Sequence, residues 1–290
     1  FKGTERYMTM APARFTYSLM TRSLRVSHAS VARRDPHLAR GVEQLLAIGA
    51  HVGGEPPAPT ALPLVIGEHR TRSRIVAAPV AAANTSRDDL LVLLGAAAAE
   101  GAGIVVTPQL TSAMLEGDED AVAWRRIIDY VHGKDALIAA RVVMPSEDAI
   151  AHLLFAGFDL LLLDPDGDEA AIERLPALVH AARARWGGGW LAAVVDDRRS
   201  ARVAVVGHAA QLVRAGADLL WVTASPLGDG HARLPAAPLA DRLRNELGVA
   251  TCIESEDASL ADLDAAIAAG RADLVAVTRM PLPRAGDARR

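Results

Sequence analysis

The 290-residue sequence predicts an α/β protein whose main body is a (β/α)8 TIM barrel. Short runs rich in leucine and β-branched residues alternate with alanine-rich helical runs, which is the pattern of repeated βα units. The run Leu160 to Leu163 is wholly apolar, as in a parallel strand covered on both faces. Self-similar junctions begin at Ala156-Gly157, Ala215-Gly216 and Ala269-Gly270, and each leads to Asp-Leu. An open, doubly wound parallel sheet is the alternative.

The first 50 residues are the most polar stretch and are predicted to form a separate N-terminal segment. Residues 21–25 have turn and strand character. The pair Asp35-Pro36 predicts a helix start, because aspartate caps free N–H groups and proline fits the first helical position. One helical face then follows, made of Leu38, Val42, Leu45 and Leu46.

Residues 51–63 predict a linker, because four prolines and two glycines in this stretch prevent a helix or a central strand. The chain is thereby divided into an N-terminal segment (1–50), a linker (51–63) and a barrel (64–290). The strands of the barrel are predicted at Arg74–Ala78, Gly103–Thr107, Ala136–Val142, Phe158–Leu163, Trp190–Val195, Asp218–Thr223, Val249–Ile253 and Asp273–Val277. The helices between them are predicted at residues 87–100, 119–132, 146–156, 168–185, 199–215, 237–247 and 259–269.

Composition excludes several classes of protein. A net charge of −4 argues against general binding of nucleic acid or anionic membranes. The longest apolar run, Leu90 to Ala99, is about half of the ~20 residues that a membrane span needs. The single cysteine, Cys252, excludes an intramolecular disulfide and predicts a reducing, cytoplasmic location. Because the sequence begins with Phe1, it is predicted to start inside a longer protein.

Candidate site residues follow the carboxyl ends of the predicted strands, where barrels place their active sites. They are Pro79, Val80, Thr107, Gln109, Arg141, Asp164, Asp166, Asp196, Asp197, Thr223, Ser225, Glu254, Glu256, Thr278 and Arg279. The stretch Glu254 to Asp257 would repel a phosphate, and Arg279 is the one favourable group after the last two strands.

Other motifs favour structural roles over chemistry. The stretch Asp164 to Glu169 resembles a calcium loop, but its glycine is misplaced and Leu175 stands where a calcium loop has glutamate. A turn and a helix start explain it better, and no metal site is predicted. Cys252 is predicted to be an inert core residue and Trp124 a helix-packing residue. Four histidines are predicted on helices, in surface or boundary roles: His132, His152, His180 and His208.

From Leu62 onward the sequence resembles the old yellow enzyme family of FMN-dependent (β/α)8 oxidoreductases. The matching phrases are Ser73–Pro79, Glu100–Thr107, Ala123–His132 and Gly270–Arg279. The stretch Leu62 to Arg72 is similar to the hairpin that closes the bottom of such barrels. The N-terminal phrases resemble the tail of the FAD-dependent half of salicylyl-CoA 5-hydroxylase and anthraniloyl-CoA monooxygenase/reductase fusions; they are Glu5–Met8, Phe15–Ser23 and Arg34–Pro36.

This resemblance implies FMN contacts at Ala78, Pro79, Arg141 and Arg279. It places the family's catalytic histidine pair at Asp164 and Gly167, neither of which can donate as imidazole does, so no catalytic residue is predicted.

The predicted function is therefore the C-terminal region of an aryl-CoA monooxygenase/oxidoreductase fusion, with a barrel that lost FMN chemistry and serves a structural or docking role. Two alternatives remain: an active FMN- and NAD(P)H-dependent ene-reductase on an aryl-CoA, and a non-catalytic barrel that binds a CoA thioester. The implied partners are an upstream FAD domain, an aromatic acyl-CoA substrate and further copies of the chain, without nucleic acid or membrane.

Overall fold

The computed structural model describes residues 10–66, 69–82, 85–110, 118–196, 202–224, 234–256 and 258–280, without the side chains of residues 118–121, 202 and 203. An antiparallel hairpin consists of β1 (Leu64–Ile66) and β2 (His69–Thr71). The barrel strands are β3 (Ile75–Ala77), β4 (Ile104–Val106), β5 (Leu137–Val142), β6 (Leu160–Leu163), β7 (Trp190–Asp196), β8 (Leu219–Thr223), β9 (Ala250–Ser255) and β10 (Leu274–Val277). Three helices precede the barrel: α1 (Pro12–Met20), α2 (His28–Arg34) and α3 (Pro36–Gly49). The helices of the barrel are α4 (Arg87–Ala99), α5 (Asp118–His132), α6 (Glu147–Ala156), α7 (Glu169–Trp186), α8 (Arg202–Ala215), α9 (Ala237–Leu247) and α10 (Leu260–Ala269).

The eight strands β3 to β10 form a closed parallel barrel, which confirms the (β/α)8 prediction. Closure comes from the pairing of the last strand with the first, in the register Val275↔Ile75 and Val277↔Ala77. That pairing excludes the open sheet. Each predicted barrel strand and helix is present, with ends that differ by a few residues.

Side chains inside the barrel alternate with side chains that face the helices, as the two-residue period of a strand requires. Large apolar side chains fill the interior, among them Leu160, Leu162, Trp190 and Trp221. Cys252 is fully buried in the same cluster, and burial raises the pKa of its thiol well above the ordinary value. The prediction of an inert core cysteine is thus consistent with its position.

The hairpin closes the amino end of the barrel. The Trp190 indole Nε1 donates a hydrogen bond of 2.7 Å to the Ile66 carbonyl oxygen. The His69 ring meets the Trp190 ring edge-on, with 5.7 Å between centroids. A hairpin at this place was expected from the sequence, and it covers the barrel interior at that end.

The structure tests three predictions for the N-terminal segment and the linker. Asp35 caps α3 by accepting a hydrogen bond of 2.9 Å from the Leu38 N–H, as predicted. The strand character predicted for residues 21–25 is wrong, because these residues form a turn in which Leu24 has a φ of 57° that no strand permits. The linker 51–63 contains a short 3-10 helix, Pro59–Ala61. The proposed domain division itself stays a prediction.

Helices α1 to α3 pack on α10 of the barrel through a shared apolar cluster that includes Tyr17, Val42, Leu62 and Ala268. Polar contacts reinforce this joint. Tyr17 Oη and His28 Nδ1 are joined by a hydrogen bond of 2.7 Å. The Thr60 N–H and hydroxyl both donate to Asp264 Oδ1, at 2.9 and 2.8 Å. Asp264 is thus a buried carboxyl between the linker and the barrel.

Asp264 is expected to make stability depend on pH. Burial raises its pKa above the ordinary 3.8, so the native chain binds this proton more tightly than the unfolded chain does. Stability from this group is therefore greatest at low pH and falls as pH rises from about 4 through the raised pKa. Asp264→Asn should flatten this slope in urea unfolding series between pH 4 and pH 7. Asp135→Asn, at an exposed carboxyl, is the control, and an unchanged slope in Asp264→Asn would contradict the prediction.

Candidate active site at the carboxyl end of the barrel

A cavity of about 320 Å³ lies at the carboxyl ends of β5 to β9, where the fold leads one to expect a site. Its volume is in the ordinary range for small-molecule sites. Its lining consists of Arg141, Asp164, Pro165, Asp166, Gly167, Ile172, Val194, Val195, Asp196, Val205, His208, Thr223, Glu254 and Glu256.

The described lining has five carboxylates and a single guanidinium, that of Arg141. Arg141 is paired with Asp164: its Nε and Nη2 donate to Asp164 Oδ2 at 2.8 and 2.6 Å. The Asp164 side chain is 6% exposed, so this carboxylate depends on the arginine for its charge balance. Asp166, Asp196, Glu254 and Glu256 also line the cavity, so its described lining is mostly acidic.

Asp164 also shapes the loop that follows β6. Its Oδ1 accepts a hydrogen bond of 2.9 Å from the Asp166 N–H. Two residues later Asp168 caps α7 by accepting from the Ala171 N–H at 3.0 Å. The turn and helix start predicted for this acidic stretch are therefore confirmed. Within the described residues, no three His, Cys, Asp or Glu side chains are grouped so that they could hold a metal ion.

Glu254 is fixed at the cavity by a neighbour inside the barrel. The Trp221 indole Nε1 donates a hydrogen bond of 2.7 Å to Glu254 Oε2, and Trp221 is 2% exposed. No side chain or N–H in the described part of the chain donates to Glu254 Oε1. One oxygen of Glu254 is thus anchored by the core while the other remains available to a ligand.

His208 on α8 lines the cavity as well, and the prediction of a surface or boundary role overlooked this contact. Its Nε2 is buried and makes no hydrogen bond with the described residues. Burial lowers the pKa of the imidazole below 6.5, so His208 is neutral at pH 7. The sequence did hold a signal, because His208 follows Val205 by three residues and precedes the buried Leu212 by four, on one helical face.

The predicted ring of site residues divides into three groups. The cavity brings together Arg141, Asp164, Asp166, Asp196, Thr223, Glu254 and Glu256, and also Gly167. Residues that do not line it are Ala78, Pro79, Val80, Thr107, Gln109, Thr278 and Arg279. Asp197 and Ser225 lie outside the described residues. Ala78 packs in the apolar cluster inside the barrel, and its N–H donates to the Val277 oxygen at 2.8 Å.

Two further features are the position of a lysine and the length of the helices. Lys134, the one lysine in the described residues, lies in the turn that leads into β5, at the amino end of the barrel, where its Nζ is 5.2 Å from the Tyr130 ring centroid. Among the helices that the structure describes, none has the length and apolar character of a membrane span.

Similar folds occur among aldolases of known structure. The chain superposes on the tetrameric deoxyribose phosphate aldolase from Aeropyrum pernix with a TM-score of 0.50 and 17% identity, over 71% of this chain and 85% of that one. It also superposes on the aldolase QR15 with a TM-score of 0.51 and 10% identity, over 70% of this chain and 88% of that one. No protein-family model and no curated protein sequence matches the chain. At these identities the likeness concerns the fold.

The assignment to a fusion of an FAD monooxygenase with an old yellow enzyme-like barrel is wrong, because the similar solved structures are aldolase barrels and no family model supports it. The predicted flavin-dependent hydroxylase or oxidoreductase function is wrong with it. The matching phrases cover strands and helix ends, and any parallel barrel needs apolar strands and glycine-ended helices. FMN contacts at Ala78, Pro79, Arg141 and Arg279 had no other basis; FMN and FAD binding is tested by no observation and stays a prediction.

Proposed function

We propose that the protein is an enzyme that binds a small organic cation, such as an amine, in the carboxyl-end cavity and acts on it by proton transfer. The observation that carries this proposal is the acidic character of the described lining, in which Asp166, Glu254 and Glu256 lie beside the paired Arg141 and Asp164. A cation reduces the mutual repulsion of the carboxylates, whereas a phosphate or carboxylate ligand increases it.

The ligand's positive charge would be held by Glu254 and Glu256. Glu254 is the best placed, because Trp221 fixes one of its oxygens and leaves Oε1 for an N–H donor. Glu256 lines the same cavity from the loop after β9. Charge-assisted hydrogen bonds of this kind are about twice as strong as neutral ones.

His208 supplies the group that would accept a proton from the bound molecule. A neutral imidazole is a general base, and a base is most effective when its pKa lies near the working pH. The His208 ring lines the cavity, where a bound ligand can contact it. Its buried Nε2 has no hydrogen-bond partner among the described residues.

Covalent aldol chemistry through a lysine receives no support from the described residues, although aldolases share this fold. A Schiff base needs a lysine amine within reach of the substrate carbonyl. Lys134 lies at the amino end of the barrel, against Tyr130, and the cavity is at the other end. Proton transfer by His208 requires no such amine.

Calorimetric titration with putrescine, succinate and butanediol tests the charge preference on molecules of one chain length. We expect putrescine to bind, and succinate and butanediol to bind at least about tenfold more weakly. Glu254→Gln keeps an acceptor for Trp221 but removes the charge, and should weaken putrescine binding about tenfold. Glu100→Gln, at an exposed position after α4, is the matched control. Stronger binding of succinate, or equal putrescine affinity in Glu254→Gln, would overturn the proposal.

A further inference from the structure

Three arginines converge at the amino end of the barrel, opposite the carboxyl-end cavity. Arg14 comes from α1, Arg74 directly precedes β3, and Arg244 lies in the last turn of α9. The carboxylate that they surround belongs to Asp273, just before β10. This arginine cluster, Arg14, Arg74 and Arg244, joins the N-terminal helices to the barrel.

The single carboxylate is already used by one of the three arginines. Arg244 Nε donates to both oxygens of Asp273, at 3.0 and 2.9 Å, and the Thr251 N–H donates to Oδ2 at 3.1 Å. Arg74 reaches only the backbone oxygen of Asp273, through Nη1 at 3.0 Å. In the described chain neither Arg14 nor Arg74 has a carboxylate partner.

Arg14 is held in place by the C-terminal end of α10. Its Nε donates to the Ala268 carbonyl oxygen at 3.2 Å, and its Nη2 lies over Gly270, 2.8 Å from where a Cβ would be. Arg14 is only partly buried, so its guanidinium can be reached from solvent. The carbonyl fixes one face of the guanidinium and leaves its Nη atoms for another acceptor.

The electrostatics agree with this geometry. Burial and the neighbouring Arg244 and Arg74 charges lower the pKa of Arg14 to about 10. The pKa of Arg74 is also lowered, chiefly by burial, and its Nε is buried without a partner.

We propose that the arginine cluster is a binding site for a phosphate dianion, either inorganic phosphate or the phosphate group of a monoester. Arg14 and Arg74 have no carboxylate partner among the described residues, and a dianion balances their two positive charges. A planar guanidinium group can donate two parallel N–H hydrogen bonds to two oxygens of a phosphate. The site is separate from the carboxyl-end cavity and does not depend on the function proposed for that cavity.

Thermal unfolding with added phosphate, at ionic strength held constant with potassium chloride, tests the site. We expect millimolar phosphate to raise the Tm of the unchanged protein, because a ligand that binds only the folded state stabilises it by mass action. Arg14→Gln should lose at least half of that rise. Without phosphate it should melt no lower than the unchanged protein, because the substitution removes repulsion. Arg22→Gln removes the same charge from an exposed turn and should keep the full rise.

Titration calorimetry separates the two forms of the ligand and guards against a folding defect. Phenyl phosphate that binds as well as inorganic phosphate indicates a monoester site, and phosphate alone indicates the free ion. Arg14→Lys keeps the positive charge and the fold. Because lysine lacks the paired N–H donors of a guanidinium, this variant should bind phosphate roughly tenfold more weakly. The proposal would be overturned if phosphate raised the Tm of all variants equally, or if chloride raised the Tm as much as phosphate does. It would also be overturned if Arg14→Lys bound phosphate as tightly as the unchanged protein.

Discussion

Gly103→Ala is expected to destabilise the barrel by about 3 kcal/mol or more, because overpacking against fixed backbone is among the most damaging core changes. A Cβ at Gly103 would overlap the Ser73 carbonyl oxygen and lie 2.9 Å from Ser73 N. Backbone hydrogen bonds keep β3 and β4 at this distance from each other. The Gly103 N–H donates to the Ile75 oxygen at 2.8 Å, and its own oxygen accepts from the Leu137 N–H at 3.0 Å.

The matched substitution is Gly41→Ala, in the middle of α3, where an added Cβ meets no atom within 4 Å. It should raise stability by up to about 1 kcal/mol, because alanine is the better helix former. Urea unfolding of both variants measures the difference. A Gly103→Ala protein with the midpoint of the unchanged chain would show that β3 and β4 can separate at little cost, contrary to this prediction.

Arg141→Met is expected to lower stability by about 3 kcal/mol, because it leaves the Asp164 carboxylate buried without its partner. The Asp164 side chain is 6% exposed, so water cannot replace the guanidinium fully. The double variant Arg141→Met/Asp164→Leu removes both charges and should be more stable than Arg141→Met alone. Additive losses in this double-mutant cycle would contradict the prediction.

The ion pair of Arg141 and Asp164 links the stability of the fold to ligand binding in the cavity. Arg141 is the one arginine or lysine among the described lining residues. Its removal should therefore strengthen putrescine binding in the cavity while it weakens the fold. A variant that binds putrescine more weakly, although folded, would mean that Arg141 positions the carboxylates more than it opposes the cation.

The sequence predicted the barrel well because its signals are local. Alternating strands, capped helices and glycines such as Gly157 and Gly270 at helix ends identify each βα unit without knowledge of its neighbours. Eight such units leave few possible topologies, so Leu160–Leu163 and its counterparts could be placed to within a few residues. Most polar residues at strand ends could be assigned to the site for the same reason.

The parts that failed depend on contacts between distant residues. His208 is on a helix, and its contact with a cavity formed by β5 to β9 depends on the tilt of that helix. Trp221 and Glu254 lie on neighbouring strands, and no sequence pattern within either strand predicts the hydrogen bond between their side chains. The flavoprotein assignment failed for another reason: its matching phrases contain the residues that build a barrel rather than those that hold a flavin.

The closure of the barrel also constrains the order in which the chain can fold. β3 completes its pairing only with β10, and Tyr17 of α1 packs in one cluster with Ala268 and Ala269 of α10. Both contacts join positions that are 200 or more residues apart in the sequence, and folds with such long-range contacts form slowly. During synthesis on the ribosome the edge of β3 stays unpaired until the last strand emerges. The nascent chain should therefore be the form of this protein most prone to aggregation.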